Sequence, residues 1–247
     1  MTKLDDYRYA LRDLDTWDAY LLAESGLPGP RGNIELANAV ADEGDEALFH
    51  RYLAYDADTA PTNTPEEFLA FCGALGLGRL IADGRADLVP RLRRLSEDPR
   101  WRTREAVAMA LQRWGDADMD GLLAEMRTWS GGSALERRAA AAGLCEPRLL
   151  RDAGHAAQVL EILDAMTASI AGDEQRRSDA FRALRKGLGY CWSVAVAAAP
   201  DAGKPMMESW LESDDEDVRW IMRQNLAKKR LERIDPEWVA SCRDRLA

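Results

Sequence analysis

Between its proline and glycine marks the chain spaces apolar residues three and four apart, with no sustained alternation. That is the spacing of one helix face and not of a strand. The ends of the predicted helices are marked. "TPEE" at 64–67 offers a cap, a proline at the first helical position and acids in the first turn; "DPRW" at 98–101 repeats the cap and proline device. Ser133 with Glu136 reads as a capping box, Gly26 and Gly84 stand where helices end, and "LPGPRGN" at 27–33 is the conspicuous loop. The pattern predicts about a dozen helices of about 10 to 20 residues each.

Three segments share one plan: "LVPRLRRLSEDPRWRTREAVAMAL" (88–111), "LLAEMRTWSGGSALERRAAAAGL" (122–144) and "PMMESWLESDDEDVRWIMRQNL" (205–226). Each has an amphipathic helix, a short Ser, Asp or Gly break, and a helix carrying Arg with Leu seven residues later. The pairs are Arg104 with Leu111, Arg137 with Leu144 and Arg219 with Leu226; Arg177 with Leu184 fits more loosely, and Phe68 with Leu75 fits without the arginine. Anchor separations of 36, 33, 40 and 42 residues, with two helices per unit, predict stacked helical hairpins. On a helical wheel Val218, Ile221, Met222, Asn225, Leu226 and Lys229 form one stripe and Trp220 lies opposite it. Trp220 is therefore expected on a neighbouring repeat or on the surface.

Composition supports helix. There are 40 Ala and 31 Leu against 8 Val, 6 Ile and 8 Thr, and the β-branched residues are the ones that suit strands. The start, "MTKLDDYRYALRDLDTW", lacks the basic and apolar regions of a signal peptide. The longest uncharged run, 187–200, has 14 residues and is too short to span a bilayer. A soluble cytoplasmic protein with no membrane contact is expected. Cys72, Cys145, Cys191 and Cys242 have no metal or redox spacing and read as buried free thiols; His50 and His155 stand alone. Neither a metal nor a cofactor is expected. "AGDEQRRSDAFRALRKG" (171–187) reads as a solvated helix face, and "ESDDED" (212–217) as an acidic helix entrance.

Charge is uneven. Residues 1–60 hold 13 acids and 5 bases, so they read as an acidic helical cap ahead of a repeat array over 61–247. The net charge of −10 opposes non-specific affinity for nucleic acid, which comes mainly from phosphate neutralisation.

The break followed by arginine and a small-residue helix ending in Leu resembles the HEAT repeat family over about residues 65–231. The resemblance implies an all-α fold, an α-α superhelix whose second helices line a concave surface. On it Arg104, Arg137, Arg177 and Arg219 would form one row, each placed to pair with an acid of an adjacent repeat. Glu105, Arg138, Ser178 and Trp220 would form the next, with Trp101 one turn before Glu105.

Such a mixed row resembles the alkylpurine DNA glycosylases built from HEAT-like repeats. In that family tryptophans and an acid cradle a cationic base, and an arginine contacts the DNA backbone. Carried over, Trp101, Glu105 and Trp220 would meet the base, Glu105 as the catalytic acid, with Arg104, Arg138, Arg219 and Arg223 on phosphates. Glu105 stands where that family has an aspartate. The leading expectation is a non-enzymatic scaffold that holds a protein or peptide through Arg219, Trp220 and Arg223. The alternative is a duplex-DNA binder or glycosylase.

Overall fold

The computed structural model describes residues 2–246. Among these there are fifteen α-helices, two short 3-10 turns and no strand, so the all-helical class is what the chain adopts. Several helices are shorter than expected: four have only six or seven residues. The packing divides the chain into two compact units, Met1–Ala117 and Asp118–Ala247.

The first unit contains α1 (Lys3–Arg12), α2 (Asp18–Glu24), α3 (Ile34–Glu43), α4 (Glu46–Tyr52), α5 (Pro65–Ala82), α6 (Val89–Leu95) and α7 (Trp101–Ala117). Helix α5 is its centre, packed by α2, α3, α4, α6 and α7. That surrounding explains why 14 of its 18 residues are buried and why it is apolar on every side. It begins with Pro65 and ends where Gly84 takes φ +101°, a left-handed conformation that costs glycine little. Where α5 crosses α7, a Cβ on Gly78 would lie 2.4 Å from Cα of Ala110, so this crossing requires glycine. Residues 1–60 pack onto α5 through α2, α3 and α4.

"DPRW" works differently from the expected cap. Helix α7 starts at Trp101, which leaves Pro99 ahead of it. The Asp98 carboxylate accepts the Arg100 backbone N–H at 2.8 Å and its guanidinium at 2.7 and 2.9 Å. Buried Arg100 also donates to the carbonyls of Tyr55, Asp56 and Ala60. Arg102 is likewise buried, paired with Glu67 at 3.0 Å and donating to the Gly29 carbonyl at 2.6 Å. Two arginines thus tie both long loops of this unit to the start of α7. Breaking such a buried pair typically costs about 3–5 kcal/mol, because the surviving charge is left without a partner.

The second unit contains α8 (Met119–Trp129), α9 (Ala134–Leu144), α10 (Ala153–Ala168), α11 (Asp179–Ala198), α12 (Pro200–Ser209), α13 (Glu216–Leu226), α14 (Lys229–Ile234) and α15 (Pro236–Leu246). It has two rows. Helices α9, α11 and α13 lie side by side with α11 in the middle; α8, α10 and α12 form the other row around α10. The expected capping box at Ser133 and Glu136 opens α9, and Asp215 caps α13. Buried Trp192 of α11 links the rows, its indole donating to the Thr167 hydroxyl of α10 at 2.9 Å. Asn225 is fully buried in the α11–α13 seam: its amide donates to the carbonyls of Leu188 and Ile221, and its oxygen accepts the Ser193 N–H, each at 2.8 Å.

The repeated arginine and leucine occupy equivalent places. Arg104, Arg137 and Arg219 are the fourth residues of α7, α9 and α13, and Leu111, Leu144 and Leu226 are the eleventh. Phe68 and Leu75 hold those places in α5. All four leucines are buried. Helix α11 breaks the register. Arg177 lies in the turn before it, Ser178 is its N-cap, and its fourth and eleventh residues are Arg182 and Gly189. The Arg177–Leu184 spacing therefore imitates the pattern five residues early. Much of the segment 171–178, expected as helix, is turn, and Arg176 there reaches across to Asp215 and Asp217.

All four cysteines are buried. The Cys191 thiol donates to the Ala141 carbonyl at 3.3 Å, and burial pushes the Cys145 thiol well above its ordinary pKa. Among the described residues no helix is long and apolar enough to cross a membrane, and no group of His, Cys, Asp or Glu is placed to hold a metal ion.

Candidate binding surface

The anticipated site residues fall in both units. In the first, Trp101 opens α7 and is exposed (47%), with the Arg102 guanidinium 4.4 Å from its ring centre. Glu105 follows one turn later, half-buried, and Arg104 donates to the carbonyls of Asp98 and Pro99 at 2.6 and 2.9 Å. Arg104 thus joins the arginines that hold the entrance of α7.

The second unit contains the rest. Trp220 packs on α11: a Cβ on Gly189 would lie 3.0 Å from its ring and 3.2 Å from Cβ of Gln224. The Arg185 guanidinium stacks on the same indole at 4.0 Å and pairs with Asp217 at 2.8 Å, while its Nε is buried with no hydrogen-bond partner. On the opposite flank of α11, a Cβ on Gly187 would lie 3.5 Å from Cγ of Arg138. Arg219 donates to the carbonyls of Leu211 and Leu246, and Arg137 binds the Ser169 hydroxyl and Asp173. Both are committed to scaffold partners. Arg223 differs: it is exposed, and its contact with exposed Glu216 is a long 3.6 Å. Ser178, expected in the mixed row, caps α11 by accepting the Phe181 N–H at 3.1 Å.

Helix geometry then identifies side chains that sequence reasoning missed. Arg185 and Gly189 face α13, whereas Gly187 and Cys191 face α9. Lys186 and Tyr190 lie between those flanks and form the outward ridge of α11. Tyr190 is exposed; the Arg230 guanidinium lies 4.6 Å from its ring and donates to its hydroxyl at 2.5 Å, with Lys228 at 5.8 Å from the ring. A signal was available in "RKGLGY". Its two glycines mark close approach on both flanks of one helix, which places the residues between them outward.

Charge separates the two rows. Helices α8, α10 and α12 carry six acids and two bases; α9, α11 and α13 carry four acids and seven bases. Moreover, Glu136, Asp179, Glu216 and Asp217 all fall within the first three residues of their helices, where carboxylates suit the positive end of the dipole. Past those entrances the basic row has seven cations and no carboxylate. Asp215 stays charged because the Arg176 guanidinium beside it holds its carboxyl below the usual range, so Arg176 is neutralised locally. Lys186 and Arg223 remain exposed to solvent.

No protein-family model matches the chain, and no curated protein or solved structure matches it.

Proposed function

We propose that the chain is a non-enzymatic binding module, an α-α superhelix of HEAT-like stacked hairpins that holds a protein or peptide on the outward side of α9, α11 and α13. Two features support the hairpin part: the two-row packing of the second unit, and the shared fourth and eleventh positions in α5, α7, α9 and α13.

The observation that carries the binding part is Lys186 on α11 and Arg223 on α13, both exposed on helices whose opposite faces are buried in packing. Exposed cations of this kind add little to scaffold stability, which leaves them available for contact with a partner. The glycosylase-like alternative depends on open indoles to cradle a cationic base. Trp101 and Trp220 each already carry an arginine of the chain, so the protein or peptide reading is favoured.

A photo-crosslinking residue placed at Lys186 tests this in cells, with one at Glu161 on α10 as the control. Discrete adducts from position 186 and none from 161 are expected. Equal labelling from both positions, or none from 186, would refute the assignment.

A further inference from the structure

Resting on that reading of the α9–α11–α13 face, we infer that its partner presents an acidic polypeptide segment, rich in Asp or Glu, to the cations of Lys186 and Arg223. Carboxylates are absent from most of this row. A solvated helix ordinarily intersperses both signs, and the other row of this unit carries six acids. Along the binding row every acid is confined to a helix entrance, and the cations beyond them have no carboxylate on their own helices past that point. Such a surface attracts carboxylates, and arginine pairs with them in a planar, two-bond geometry.

Nucleic acid is the competing polyanion, and two features disfavour it. Single strands bind basic grooves by stacking bases on aromatic rings, yet Trp220 carries Arg185 and Tyr190 carries Arg230. Asp217 sits at the α11–α13 seam, among the cations a continuous phosphate track would need. Carboxylates on a flexible peptide can meet the separate cations one at a time and avoid Asp217.

Fluorescence anisotropy of the full chain with a labelled oligoglutamate peptide tests the inference; an oligoglutamine peptide, a duplex DNA and a single-stranded RNA serve as comparison probes. Saturable, salt-sensitive binding of oligoglutamate alone is expected. The double reversal Lys186→Glu with Arg223→Glu should weaken it by about tenfold or more, since attraction becomes repulsion at two exposed positions. Glu161→Lys on the other row should leave it unchanged. An unaltered far-ultraviolet circular dichroism spectrum and melting temperature would show that the reversed protein folds, and the milder Lys186→Gln should produce a smaller loss in the same direction. Preference for either nucleic acid, indifference to the reversal, or no binding of oligoglutamate would overturn the inference. Adducts from position 186 without oligoglutamate binding would remove the acidic partner and leave the binding face standing.

Discussion

At the scale of single residues, the polar side chains divide into those that hold the scaffold and those it does not use. Asn225 belongs to the first kind. It is fully buried and makes three hydrogen bonds across and along the α11–α13 seam, so Asn225→Ala leaves both a small void and unpaired backbone groups. A loss of about 2–4 kcal/mol is expected in chemical denaturation. Arg223→Ala, in contrast, should stay within about 0.5 kcal/mol of the parent, because the side chain is exposed and its ion pair is long. Comparable losses from the two substitutions would show that Arg223 also serves the fold. The wheel puts Asn225 on the inward stripe from sequence alone; its partners come from α11, so they could not be read there.

At the scale of the helix, what was legible depended on whether the deciding residues were local. Gly26, Gly84 and the Ser133–Glu136 box fix their ends through neighbours within a few positions, and each is found where the sequence puts it. The start of α11 was obscured because Arg177 and Leu184 reproduce the repeat spacing while Ser178 sets the cap. The outward ridge of α11 was not legible. It depends on which flank meets α9 and which meets α13, and only Gly187 and Gly189 hinted at this. Helix α13 offers a test at its entrance. Asp215 caps it and pairs with Arg176, which lowers the aspartate pKa in the folded state. A group lowered on folding stabilises above its unfolded pKa of about 3.9 and loses that contribution as pH falls through the folded value. Asp215→Asn keeps a capping side chain but removes the ion pair. It should cost about 1–2 kcal/mol near neutral pH, and the gap to the parent should close as pH drops below about 4. A gap independent of pH in urea titrations would remove the ion pair as its cause.

At the scale of the whole molecule, charge is what the sequence conveyed least completely. Both units are net negative, with 21 acids and 14 bases in the first and 22 and 19 in the second. A composition of that sign points away from polyanions in general. Folding sorts the second unit by row, and helices α9, α11 and α13 carry a net charge opposite in sign to that of the chain. The tryptophans are distributed so that this can be observed directly: Trp101 and Trp220 lie in different units, and Trp192 is sealed in the core of the second. Indole N–H resonances followed by two-dimensional nuclear magnetic resonance during an oligoglutamate titration would therefore locate the binding face. Progressive, saturable movement of the Trp220 signal is expected, with Trp101 and Trp192 stationary. Movement of Trp101 with Trp220 unchanged would contradict the assignment of binding to the α9–α11–α13 face.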